Sequence, residues 1–151
     1  MPHQVYEQPV RIHFGDCDPA GIVYHPSYYK ILNELHEDFL RDVADVGFIE
    51  IKKYGVGFPL VGVRTDFVAP SRPGDVLEGR VWLEKLGASS VRFALTLSKD
   101  GELRVKCAQT MVCVRLDHEG NFVKSDIPEQ IRRAFSAYLV EPGDPLLEFR
   151  G

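Results

Sequence analysis

One change of hydrophobic period constrains the fold of this chain more than any other feature. Between residues 28 and 43, apolar side chains recur at steps of three or four: Tyr28, Ile31, Leu32, Leu35, Phe39 and Val43. Lys30, Asn33, Glu34, Glu37, Asp38 and Arg41 fill the other face. That spacing predicts one long amphipathic helix. Pro26 suits its first turn, where a missing N–H costs nothing, and Gly47 suits its stop. After Gly55 the pattern alternates, which predicts strands over residues 58–68, 76–86, 91–98 and 103–116. The last of these shifts its apolar phase near residues 108–111, a place for a bulge. Asp100-Gly101 is a hairpin turn signal. A further strand is expected over residues 5–14, and a short final helix from Pro128, with Ile131, Ala134, Phe135, Tyr138 and Leu139 on one stripe.

Consecutive strands joined by short turns favour antiparallel pairing. One long helix against one such sheet is an α+β arrangement. At 151 residues with 44% hydrophobic content, the chain suits a single domain over residues 1–151, with an irregular tail from about residue 140. Its formal charge of -4, without a run of one sign, argues against a nucleic-acid partner. No 18-residue apolar stretch predicts a membrane span, and residues 1–11 lack the apolar run of a signal peptide. The sparse, odd set Cys17, Cys107 and Cys113 suggests reduced thiols in a cytoplasmic setting. Cys107 and Cys113 fall in a strand pattern and read as small core residues.

Chemistry-bearing residues concentrate in one segment: His13, Asp16, Cys17, Asp18 and His25. Asp18-Pro19-Ala20-Gly21 has the residue preferences of a type I turn, so Asp18 reads either as a turn former or as a catalytic carboxylate. The helix starts too far on for Asp18 to cap it. His25, directly before Pro26, places its backbone N–H at the positive end of the helix dipole. A carboxylate and a helix N-terminus facing one space make a minimal acyl-transfer site. That set suits a thioester, because a thiolate of pKa about 8.5 leaves without a general acid. Cys17 with His25 as base is a weaker alternative, since strand alternation turns Cys17 away from Asp18. A metal site from His13, Asp16, Asp18 and His25 lacks tight ligand spacing. Tyr24, Tyr28, Tyr29 and Phe39 read either as an aryl pocket or as plain core.

The string R-I-H-F-G-D-C-D-P-A-G-I-V-Y-H-P-S-Y over residues 11–28 resembles the signature of 4-hydroxybenzoyl-CoA thioesterases. The element order resembles that family's hotdog fold, a five-stranded antiparallel sheet wrapped around a long central helix. The resemblance implies that Asp18 is nucleophile or general base, and that the His25 N–H polarises the thioester carbonyl. It implies a homodimer or homotetramer with active sites at the subunit interface, where Tyr24 and the partner's Pro59, Val63 and Arg64 would lie beside the acyl group. No cofactor is implied. The family's basic cluster in the turn before the fourth strand is replaced here by Gly87-Ala88-Ser89-Ser90, so Lys85, Arg92, Arg104, Lys106, Arg132 and Arg133 are the candidate cations for the coenzyme A phosphates. The leading expectation is hydrolysis of an aryl or short acyl-CoA. The rivals are hydrolysis of an acyl group on a carrier protein and a non-catalytic acyl-CoA-binding module.

Overall fold

The computed structural model describes residues 3–45 and 53–141. The chain runs β1 (Tyr6–Arg11), α1 (His25–Ala44), β2 (Leu60–Phe67), β3 (Val76–Leu86), β4 (Ser90–Lys99), β5 (Glu102–Val112), β6 (Val114–Leu116), β7 (Phe122–Lys124) and α2 (Glu129–Ser136). Five strands form one sheet in the order β1-β3-β4-β5-β2, every pair antiparallel. This is the α+β hotdog arrangement expected from the sequence.

The long helix forms where the period predicts it. Tyr28, Ile31, Leu32, Leu35 and Phe39 are buried against the sheet, joined by Leu40 and His36. Each fully buried apolar side chain of this size contributes about 1.5–3 kcal/mol. Its stop differs from expectation. Asp45 takes the left-handed cap conformation at φ 55° and its N–H bonds the Leu40 carbonyl, while Gly47 lies outside the described residues. Asp is among the few non-glycine residues that visit this region. The opposing faces of β3, β4 and β5 supply Leu77, Val81, Leu83, Val91, Phe93, Leu95, Leu97, Val105 and Cys107 to the same core. Gly79 sits where helix and sheet pack tightly together. A Cβ there would meet Val10 Cγ2 at 2.9 Å, and Gln8 O and Leu35 Cδ1 at 3.0 Å.

Four expectations need correction. β1 ends at Arg11 rather than at Phe14, because the Asp16 carboxylate accepts the His13 N–H at 2.8 Å and turns Phe14–Asp16 into a short 3-10 turn. The strand expected over 103–116 breaks at Cys113, whose N–H goes to Ser89 O and whose carbonyl accepts from Ser125. β6 then pairs with β7, which alternation did not reveal. The bulge lies in the partner strand: β2 carries the extra residue Val61 opposite Thr110 and Met111. Finally, α2 ends at Ser136, and the backbone of Tyr138 and Val140 pairs with Leu83 instead of extending the helix.

Candidate active site

Residues 12–24 form a closed excursion between β1 and α1. At its entry, Ile12 donates to Asp75 O and accepts from Gly74, each at 2.8 Å. The segment then zips onto itself. Tyr24 N–H bonds Asp16 O at 2.9 Å, Cys17 and Val23 form a bridge, and Asp18 N–H bonds Ile22 O at 3.0 Å. The tip is the turn expected at residues 18–21, closed by Gly21 N–H to Asp18 O at 2.9 Å, with Gly21 at φ 78° where glycine alone is comfortable. Asp18 Oδ1 accepts the Ala20 N–H at 2.9 Å. That bond fixes the carboxylate's orientation, and Oδ2 has no partner among the described residues.

α1 starts at His25, immediately after the last zipped residue, Tyr24. The first N–H groups of a helix have no intrahelical acceptor. Here Pro26 has no N–H, and Ser27 donates to Tyr24 O at 2.8 Å. The His25 N–H is the donor left over, at the positive end of the helix dipole. One small hairpin therefore carries a half-buried carboxylate at its tip and a helix N-terminal N–H at its base. The His25 ring packs among aromatics, with centroids 5.4 Å from Tyr24 and 6.2 Å from Phe67.

Asp16 is structural in geometry, holding the His13 N–H. The Cys17 thiol donates to His13 O at 3.7 Å. Burial, then the charges of Asp16, Asp18 and Asp75, push its pKa up. A raised thiol pKa removes the thiolate that a cysteine nucleophile needs. Among the described residues, no three His, Cys, Asp or Glu side chains are grouped to hold a metal ion.

Tyr24 is exposed beside His25; Val63 and Arg64 are exposed along β2, and Pro59 is exposed just before it. Two other β2 residues pack on the N-terminal turn of α1. Phe67 packs 5.6 Å from the Tyr28 ring, and Thr65 Oγ1 accepts the Tyr29 hydroxyl at 3.3 Å. Alternation puts Val63 on this helix-facing side with Thr65 and Phe67, and Arg64 on the opposite face. The period-two pattern of Val63, Thr65 and Phe67 was the available signal for the two that sequence reading missed. Of the candidate cations, Arg104 is committed to Pro70, Ser71, Asp75 and Glu102. Arg132 is committed to the carbonyls of Gly87 and Ala88, and Lys106 lies 3.8 Å from Asp66. Lys85 and Arg92 are exposed cross-strand neighbours.

Residues 12–135 match the model of the thioesterase-like superfamily. The chain is 30% identical over 112 residues to a 1,4-dihydroxy-2-naphthoyl-CoA hydrolase of Thermosynechococcus vestitus, covering 71% of this chain and 74% of that one. It is 35% identical over 69 residues to a 4-hydroxybenzoyl-CoA thioesterase of Pseudomonas sp., covering 44% and 49%. A solved structure of a hypothetical protein from Thermus thermophilus superposes with a TM-score of 0.78 at 26% identity, over 91% of this chain and 100% of that one. With its sheet order, its central helix and its Asp18 hairpin in place, the chain belongs to the thioesterase-like superfamily.

Proposed function

We propose that this thioester hydrolase cleaves acyl-CoA with an aromatic or short acyl group, using Asp18 as nucleophile or general base. One observation carries the reading: the zipped hairpin of residues 16–24 presents a carboxylate held by a single N–H, and leads directly into the His25 N–H, which has no acceptor among the described residues. In the nucleophilic course, Asp18 Oδ2 attacks the thioester carbonyl, the His25 N–H stabilises the oxyanion, and coenzyme A leaves as thiolate. Water then cleaves the mixed anhydride to acid and restores the carboxylate. In the general-base course, Asp18 takes the proton of the attacking water. Both need a thiolate leaving group of pKa about 8.5, which departs without an acid.

The similarity to hydrolases of hydroxylated aryl-CoA thioesters supports an aryl acyl group. The exposed aromatic rings of Tyr24 and Phe67 beside His25 support it independently. A homodimer, paired further into a homotetramer, is part of the same reading, with Val63, Arg64 and Pro59 of the partner subunit completing the acyl site. Three free cysteines are consistent with a cytoplasmic setting.

The test is thiol release from a panel of acyl-CoA and acyl-carrier-protein thioesters, with wild type and Asp18→Asn. Aryl-CoA turnover that falls by about 10²–10⁴-fold in Asp18→Asn, with unchanged thermal stability, is the expected result. Turnover only with carrier-protein substrates would replace the substrate assignment. Tight acyl-CoA binding with no turnover would identify a binding module.

A further inference from the structure

Both ends of the catalytic hairpin hang on one crossover loop. At the entry, Ile12 pairs with Gly74 and Asp75; at the exit, Val23 N–H bonds Ser71 O at 3.0 Å. Ser71 also lies beside the first turn of α1: burial raises the pKa of the buried Tyr28, and the Ser71 side chain opposes that rise. Ser71 is fully buried. The loop carrying it is not an element of regular structure, so something else must hold its shape.

That something is Arg104, on β5. Its Nη1 donates to Pro70 O at 2.8 Å and to Ser71 Oγ at 3.1 Å, and lies 3.5 Å from Asp75 Oδ2. Its own carbonyl accepts the N–H groups of Val68 and Ala69 at 2.8 and 3.1 Å. The guanidinium is mostly buried; Glu102 Oε1 lies 2.6 Å from its Nε as an ion-pair contact without hydrogen-bond alignment. Asp75 is held in turn by the Arg72 N–H and by Lys99, each at 2.9 Å. One side chain from the rigid sheet thus reaches the two residues, Ser71 and Asp75, from which the hairpin is suspended. Both short bonds come from Nη1, whose two N–H donors lie in the guanidinium plane and so point in fixed directions, unlike the rotating donors of lysine.

We infer that Arg104 is a positioning residue for thioester hydrolysis, acting through Ser71 and Asp75 to set where the Asp18 carboxylate and the His25 N–H stand. The inference rests on the reading of Asp18 and His25 given above. Misplacement of a reacting group by about 1 Å can cost on the order of 10²-fold in rate. A loosened mooring therefore acts on kcat far more than on substrate binding.

The experiment compares Arg104→Met, Arg104→Lys and Ser71→Ala with Ile131→Val. The last is a control of comparable stability loss on α2, at the other end of α1. Steady-state kinetics with an aryl-CoA thioester are read well below each variant's melting temperature. The rate of Cys17 alkylation by iodoacetamide is followed in the folded proteins, since Cys17 lies inside the moored hairpin while Cys107 and Cys113 are fully buried. For Arg104→Met, kcat is expected to fall at least about tenfold with KM within about threefold, and Cys17 to alkylate faster. Ser71→Ala should move both readouts the same way by a smaller factor, with Arg104→Lys between it and Arg104→Met. The control should move neither. A kcat within about twofold of wild type in folded Arg104→Met and Ser71→Ala, with Cys17 alkylation unchanged, overturns the inference; so does an equal kcat loss in the control. If Asp18→Asn is itself active, the catalytic reading fails, while the alkylation rates still report whether Arg104 moors the hairpin.

Discussion

His36 shows how far a single residue escapes its sequence pattern. It lies on the apolar face of α1 and is fully buried, with its ring 4.2 Å from the Phe93 ring and 6.4 Å from the Phe39 ring. Burial pushes its pKa down to about 4, partly opposed by the neighbouring Gln109 side chain. The sign for stability follows from proton uptake. Well above pH about 6.5 neither state binds the proton, so the histidine adds no pH dependence to stability. Between about pH 6.5 and 4 the unfolded chain takes up a proton that the folded chain refuses, so stability falls as pH falls. Below the folded pKa the loss levels off at about 3 kcal/mol, at 1.36 kcal/mol per pKa unit. Urea unfolding of wild type and His36→Leu at pH 7 and pH 4 should therefore show a larger acid loss in wild type, by about that amount. Parallel losses would show that His36 is not the titrating group. Asp18 and His25 were legible because turn chemistry and the helix start are local. The burial of His36 and Ser71 was not, because it depends on strands and loops distant in sequence.

At the scale of elements, the packing of β3 against α1 and β1 leaves room only for a glycine. Gly79 lies under Leu35 and beside Gln8 and Val10, with no room for a methyl group unless something shifts. Overpacking of this kind typically costs about 1–3 kcal/mol. Gly79→Ala should lower the urea midpoint accordingly without changing the slope of the transition. An unchanged midpoint would mean that the helix can ride up freely. Periodicity located α1, β3 and β4 well, although β4 is buried on both faces, with Ala94, Thr96 and Ser98 covered opposite Phe93, Leu95 and Leu97. It misjudged three places where side chain–backbone and backbone bonds overrule the pattern: the Asp16 cap that ends β1, the split at Cys113 that separates β5 from β6, and the pairing of Tyr138 and Val140 with Leu83 that stops α2.

At the scale of the whole molecule, the informative surface is the sheet edge formed by β2. Leu60, Val61, Val63 and Phe67 are 45% to 60% exposed along it. An unpaired apolar edge is a liability in a monomer and a template for pairing. Sedimentation at micromolar concentration should show a dimer or larger species. The double substitution Leu60→Lys and Val61→Lys should shift it toward monomer and reduce turnover by at least about tenfold, because placing reacting groups across two chains requires both. A fully active monomer would contradict both the interface and the shared acyl site. By itself, the sequence determined the helix, the alternating strands, the turn at Asp18 and the helix start at His25. These are set by local periodicity, proline and glycine chemistry, and residues within one or two turns of each other. Tertiary structure alone decided the sheet order, the break at Cys113, the burial of His36 and the suspension of the Asp18 hairpin from Ser71, Asp75 and Arg104. Each of these joins residues far apart in the chain, where the hydrogen-bond partner of a buried polar group is chosen by packing.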